Sequence, residues 1–296
     1  MAALVALFVN VFRSSLKYIF PTSRHSFLVD RTPYGLPVPV CAHQTITEEE
    51  LGERKLLIIG DVHGCYDELV DLLDKTNGRD PGVCVVFVGD LVNKGPKSAE
   101  VVKLVREMGA YSVRGNHDEV SLRNWQNYAE GRAPLPQEFQ WLTTLSKEEL
   151  GWLYELPFSI SIPSLNIIIV HAGVLPQLPL VKQGYDDLLH LRNASYDSGL
   201  SKWVGHKKIL EGSISWASAW RGPELVYFGH DARRGLQMFP LAKGLDTGCV
   251  YGGRLTAIFP LEEDRVVQVE SRAVHRRPGK MESRKEEEGR CKEGGF

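Results

Sequence analysis

Five apolar runs in this chain are followed within two residues by a glycine or a histidine that introduces polar side chains, and this recurrence constrains the fold more than any other feature. Leu56–Ile59 runs into Gly60-Asp61-Val62-His63-Gly64, and Val83–Val88 runs into Gly89-Asp90. Tyr111–Val113 is followed by Arg114-Gly115-Asn116-His117-Asp118, Leu165–Val170 by His171-Ala172-Gly173, and Leu225–Phe228 by Gly229-His230-Asp231. Short apolar runs ended by glycine read as buried strands. Behind the first, Leu69, Leu72 and Leu73 recur at helical spacing, and behind the second so do Val101, Leu104, Val105 and Met108, stopped by Gly109. Repeated strand–loop–helix units imply parallel strands with crossover helices, so the loops open on one edge of the sheet, where α/β proteins bind ligands.

The fold class expected is therefore α/β, with an α+β second half. Residues 119–156 read as helical, and Phe158–Ile162 with Leu165–Val170 as a hairpin. Leu225–Phe228 and Leu255–Phe259 are expected in a second, mainly antiparallel sheet. Two sheet layers with outer helices are the natural assembly. Residues 174–221 give no clear pattern.

The strand exits collect Asp61, His63, Asp90, Asn116, His117, His171 and His230. Each alone reads as an ordinary loop polar residue, but five glycine-flanked exits together do not. An oxygen and nitrogen donor set without thiolate suits Mn²⁺, Fe, Zn²⁺ or Mg²⁺. The set is too large for one ion with an open position, whereas two ions about 3.5–4 Å apart, bridged by one carboxylate, would use it. Lys94, Arg114 and Arg192 are candidates to neutralise phosphate, with surface charge as the alternative for each.

Composition excludes some classes. Apolar residues make up 43% and charged residues 24% of 296, with net charge −2, so no broad nucleic-acid or membrane surface is expected. The five cysteines form no CxxC pair and are read as reduced and structural. Residues 1–30 hold an apolar run, too short to span a membrane, and no acid before Asp30, which reads as a targeting segment or a tail. Residues 31–54 read as a linker, 55–273 as the working domain, and 274–296 as a disordered charged tail.

In order, Gly60-Asp61-Val62-His63-Gly64, Gly89-Asp90-Leu91-Val92-Asn93-Lys94-Gly95, Gly115-Asn116-His117-Asp118, His171-Ala172-Gly173 and Gly229-His230 resemble the signature of the metallophosphoesterase (calcineurin-like) superfamily. The resemblance implies a β-sandwich of two mixed sheets flanked by helices, with a dinuclear metal site at the strand ends. It implies Asp61 and His63 on one metal, Asp90 bridging, Asn116, His171 and His230 on the other, and His117 as general acid.

Within the superfamily, protein Ser/Thr phosphatases carry Asp-Arg where this chain has Asn93-Lys94, and Glu where it has Asp118. Phe228–Gln237 and Gly244–Gly253 resemble the ApaH-like branch, which is similar to the bacterial symmetrical diadenosine tetraphosphatases and includes eukaryotic zinc-dependent endopolyphosphatases and enzymes that cleave capped RNA ends. The resemblance implies a hydrolase of phosphoanhydrides such as polyphosphate, dinucleoside polyphosphates or capped ends; a monomer is expected. The alternatives are a phosphoprotein phosphatase and an inactive binding protein. The cytoplasm is expected, with mitochondrion or endomembrane as alternatives through residues 1–30.

Overall fold

Side-chain alternation along the strands decides how the layers of this protein stack. The computed structural model describes residues 30–277, so the segment read as a targeting signal and most of the charged tail lie outside the described residues. In chain order the first half comprises β1 (His43–Thr45), α1 (Glu48–Leu51), β2 (Lys55–Ile59), α2 (Tyr66–Thr76), β3 (Val83–Phe87), α3 (Ser98–Glu107), β4 (Tyr111–Ser112), α4 (Asn116–Ala129) and α5 (Lys147–Tyr154). There follow β5 (Ser159–Ile162), β6 (Ile167–Val170), α6 (Tyr185–His190), β7 (Asn193–Asp197), β8 (Lys202–His206), β9 (Ile214–Ser215) and α7 (Trp216–Ala219). The chain continues through β10 (Leu225–Phe228), β11 (Gln237–Phe239), β12 (Ala242–Gly244), β13 (Arg254–Phe259) and β14 (Arg265–Glu270).

One sheet has the order β14-β13-β2-β3-β4, with β2, β3 and β4 parallel, as the strand–loop–helix units require. Leu57, Ile59, Val85 and Phe87 point to one face and pack with Leu69, Leu72 and Leu73 of α2 and Val101 and Val105 of α3. Their alternates Leu56, Ile58, Cys84 and Val86 point to the other face. There they meet Ile160, Ile162, Ile167 and Ile169 of the second sheet, ordered β1-β5-β6-β10-β12-β11. The outer face of that sheet, with Ile168, Val170, Val226 and Phe228, is covered by Leu188, Leu189 and Trp216 from α6 and α7. Each large apolar side chain buried this way contributes roughly 1.5–3 kcal/mol. The result is the expected sandwich of mixed sheets with outer helices.

Three expectations are corrected. The second sheet is not mainly antiparallel: β1·β5, β6·β10 and β10·β12 are parallel, and only β5·β6 and β11·β12 are antiparallel. β13, expected there, instead pairs antiparallel with β2, so the chain crosses the sandwich after β12. Residues 174–221 are not irregular throughout; they build α6, α7 and a small sheet ordered β8-β7-β9.

Nor is 31–54 a linker. β1 pairs with β5, the Ile46 amide donates to Ser161 O at 2.9 Å, and Leu36 and Ile46 are fully buried in opposite layers of the core. Polar and proline-rich composition hid a short edge strand. Ile46→Ala should therefore lower stability by about 2–5 kcal/mol in chemical denaturation, the cost of emptying a core site. A loss below about 0.5 kcal/mol, the size of a surface substitution, would contradict this packing.

Candidate metal centre

The strand exits force the backbone into uncommon conformations so that their side chains converge. His63 (φ 49), Asp90 (φ 50), Asn93 (φ 73), Lys94 (φ 72) and His230 (φ 68) are all left-handed. Such conformations in residues other than glycine cluster at functional sites. Two glycines are required by close approach: a Cβ on Gly229 would lie 1.9 Å from Asp61 Oδ1, and one on Gly115 2.1 Å from Asp90 Oδ1.

Asp61, His63, Asp90, His171 and His230 are all buried. Asp90 lies between two groups: its Oδ2 is 3.4 Å from His63 Nε2 and its Oδ1 is 3.5 Å from His171 Nε2. On the first side, His63 Nε2 also lies 4.0 Å from Asp61 Oδ2. On the second, Asn116 Oδ1 is 3.0 Å from His171 Nε2 and 2.9 Å from His230 Nδ1. Asp61, Asp90 and His171 present donor atoms all within 4.8 Å of one another.

Whether these donors suit cations follows from the histidine tautomers. His171 Nδ1 is 3.0 Å from the Val88 carbonyl, and His63 Nδ1 is 3.3 Å from the Val92 carbonyl. A carbonyl only accepts, so each Nδ1 carries the proton. Burial pushes both imidazoles below their usual pKa, so the neutral ring is favoured and each Nε2 offers a lone pair. These lone pairs face oxygens of Asp90 and Asn116, which are acceptors too. Acceptors facing acceptors, with the far ring nitrogen fixed by a carbonyl, is the arrangement of metal-ligating histidines. His230 Nε2 is also buried without a partner among the described residues. Lys94 supplies one cation here, its Nζ 2.9 Å from His63 Nε2. The donor set fits divalent metal ions.

Burial, Asp246 and Asp90 raise the Asp61 carboxyl well above its usual range. Burial acts the same way on Asp90, but the cations facing it hold that carboxyl below the usual range, and with the imidazoles neutral the cation present is Lys94. Asp118 fixes the loops around it: its carboxylate accepts from Gly115 N at 2.7 Å, Asp90 N at 3.0 Å and Val92 N at 3.3 Å.

His117 stands at the rim. Its amide donates to Asp90 Oδ1 at 2.8 Å, and its Nδ1 is 3.1 Å from Asn93 Nδ2. Asn93 Oδ1 accepts from Lys94 N at 2.7 Å, which assigns the amide orientation. The Asn93 NH₂ therefore donates to His117 Nδ1, and the imidazole proton sits on Nε2. Burial first, with Lys94 assisting, lowers the His117 pKa to about 4.

The centre opens into a cleft of about 690 Å³ lined by Lys94, His117, Arg192, Arg233, Asp246 and Tyr251, among others. Arg192 reaches it while donating to His230 O at 3.2 Å and lying 3.7 Å from Asp231. Arg114 does not reach it, a correction to its expected phosphate role. Its Nη1 donates to Glu119 Oε1 at 2.7 Å, both side chains are fully buried, and its Nη2 donates to Tyr154 O. Glu119 in turn accepts from Thr32 Oγ1 at 2.8 Å, so this pair joins α4 to the N-terminal segment.

Asp246, Arg233 and His190 are cleft residues missed in the collected set. Asp246 had a signal, the strand exit Gly244-Leu245-Asp246-Thr247-Gly248; burial pushes its carboxyl up to about 6. His190 had none, because it lies on α6 within the stretch that gave no pattern.

The chain is similar to known phosphoesterases. The sequence profile of the calcineurin-like phosphoesterases matches residues 54–234. The asymmetrical bis(5'-nucleosyl)-tetraphosphatase PrpE of Halalkalibacterium halodurans is 34% identical over 249 residues, covering 73% of this chain and 93% of that protein. The symmetrical bis(5'-nucleosyl)-tetraphosphatase of Janthinobacterium sp. is 31% identical over 276 residues, covering 75% of this chain and 98% of its own. A crystal structure provisionally named a diadenosine tetraphosphatase superposes with TM-score 0.68 at 39% identity, covering 78% of this chain and 98% of the other. A protein serine/threonine phosphatase from Saccharomyces cerevisiae, at TM-score 0.50 and 14% identity over 90% of each chain, shares the fold alone.

Replacing Arg114 by Ala leaves Glu119 as an unpaired buried charge, so stability should fall by about 3–5 kcal/mol. The KM for a phosphate substrate should be unchanged in the folded fraction. A raised KM at unchanged stability would restore Arg114 to the phosphate site.

Proposed function

The chain belongs to the calcineurin-like phosphoesterase family, and from that premise we propose that it hydrolyses phosphoanhydride bonds of dinucleoside polyphosphates or polyphosphate. The observation that carries the choice of bond is the hydrogen bond from Asn93 Nδ2 to His117 Nδ1.

We assign Asp61, His63 and Asp90 to one divalent ion and Asp90, Asn116, His171 and His230 to a second. Mn²⁺, Zn²⁺, Fe and Mg²⁺ all suit the oxygen and nitrogen donors. When bound, such a pair supplies an acidified water for attack and neutralises phosphate oxygens. Lys94 and Arg192 reach the same cleft and add positive charge around the phosphates.

His117 holds the proton for the leaving oxygen. An aspartate at position 93 would accept from Nδ1 and favour the imidazolium, a strong acid. Asn93 donates instead, so His117 stays neutral with its proton on Nε2, where it serves as a hydrogen-bond donor and weak acid. A serine alkoxide needs a full proton in order to leave. The phosphate released from an anhydride is already a stable anion and needs little. The site is therefore matched to anhydrides.

Purified protein supplied separately with Mn²⁺, Zn²⁺ or Mg²⁺ should cleave diadenosine tetraphosphate or polyphosphate faster than a phosphoserine peptide. Asp90→Asn or a chelator should abolish this activity, and faster turnover of the peptide would overturn the reading. Asn93→Asp should move selectivity toward phosphomonoesters, raising the ratio of monoester to anhydride kcat by about tenfold or more, within the usual worth of an acid catalyst. An unchanged ratio would show that Asn93 does not set the leaving-group preference.

A further inference from the structure

The catalytic cleft does not end at His117. It continues into a recess of about 370 Å³ whose lining includes Lys94, His117, Glu138, Tyr251, Arg276 and Arg277. The two arginines belong to the segment expected as a disordered tail, and the structure corrects that expectation as far as residue 277.

After β14 the chain is fastened at successive points. Ser271 N donates to Gly253 O at 2.9 Å, and Arg272 N donates to Glu68 Oε1 at 2.9 Å. The Arg272 guanidinium pairs with Asp71 through its Nη2, 2.8 and 2.7 Å from the two carboxylate oxygens. His275 Nε2 lies 2.8 Å from Glu68 Oε1, and Arg276 N donates to Val250 O at 2.9 Å. Glu68 is buried on α2, so a fixed part of the core anchors this strap.

The strap delivers cations rather than closing the fold. Among the described residues Arg276 has one ion-pair neighbour, Glu138 at 3.9 Å, with both side chains more than half exposed, so that pair is worth little. Among the described residues Lys94, Arg276 and Arg277 line the recess with a single acid, Glu138. The Lys94 ammonium sits 5.3 Å from the centre of the Tyr251 ring, and that ring lines both recess and cleft. Arg192 and Arg233 line the main cleft but not this recess.

We propose that Arg276 and Arg277, carried by the 271–277 strap, form a subsite for the run of phosphates on the leaving side of an oligophosphate substrate. This rests on the anhydride reading, in which His117 marks the leaving side. A phosphate chain released past His117 enters the recess, where guanidinium groups suit its oxygens. A short phosphomonoester has nothing to place there.

The test measures diadenosine tetraphosphate, and in a second arm inorganic polyphosphate, as competitors of p-nitrophenyl phosphate hydrolysis by the metal-loaded full chain. In the double variant Arg276→Ala/Arg277→Ala, the inhibition constant of both should rise about tenfold relative to the KM for p-nitrophenyl phosphate. His275→Ala, which loosens the strap, should give a smaller rise in the same direction. The double lysine variant should recover part of the loss. An unchanged ratio would overturn the subsite, as would an equal loss for the short ester. A rise for diadenosine tetraphosphate alone would assign the recess to a nucleoside instead. Products are scored separately: binding that depends on the arginines without anhydride cleavage would refute the proposed function and the leaving-side assignment with it, leaving only an arginine-dependent oligophosphate site.

Discussion

Everything in the centre depends on the Asp90 carboxylate being held charged between two histidines in a buried place. Its two oxygens face His63 on one side and His171 on the other, and one of them accepts the His117 amide. Burial opposes an ionised carboxylate, so the fold must supply compensation. It does so with the Lys94 cation nearby and the His117 amide donating to Asp90 Oδ1, and with Asp118 receiving the Asp90 amide behind it. The left-handed backbone at His63, Asp90 and His230 is the accompanying cost, offset by the two cores beneath the loops.

The same logic separates this chain's chemistry from its fold. A yeast protein phosphatase shares the architecture at 14% identity, and architecture alone does not choose a substrate. On the proposed reading, the choice lies in which atom of residue 93 meets His117 Nδ1: an amide nitrogen there leaves the imidazole neutral, which suits a leaving group that departs as an anion.

Much of this was legible in the sequence because the signals are local. A glycine beside a polar residue at the end of an apolar run marks both the strand and its delivered side chain, and the structure brings His63, Asp90, Asn116, His117 and His230 to one cleft with Asp61 and His171 buried beside Asp90. What failed was non-local. Arg114 adjoins the Gly115-Asn116-His117 loop, yet a buried acid five residues on turns it into the core. β1 looked like linker because three residues of edge strand leave no periodicity to read. Arg276 and Arg277 looked like tail because their placement depends on Glu68, about 200 positions earlier in the chain. The six residues of α6 that carry His190 are likewise too few for a helical pattern to show.

The central claim is that two divalent ions share Asp90. It is tested most directly by anomalous diffraction from crystals grown with Mn²⁺. The account predicts two peaks about 3.5–4 Å apart, one beside His63 and Asp61 and the other beside Asn116, His171 and His230, with Asp90 between them and both peaks weakened in Asp90→Asn. A single peak, or metal bound away from Asp90, would contradict it.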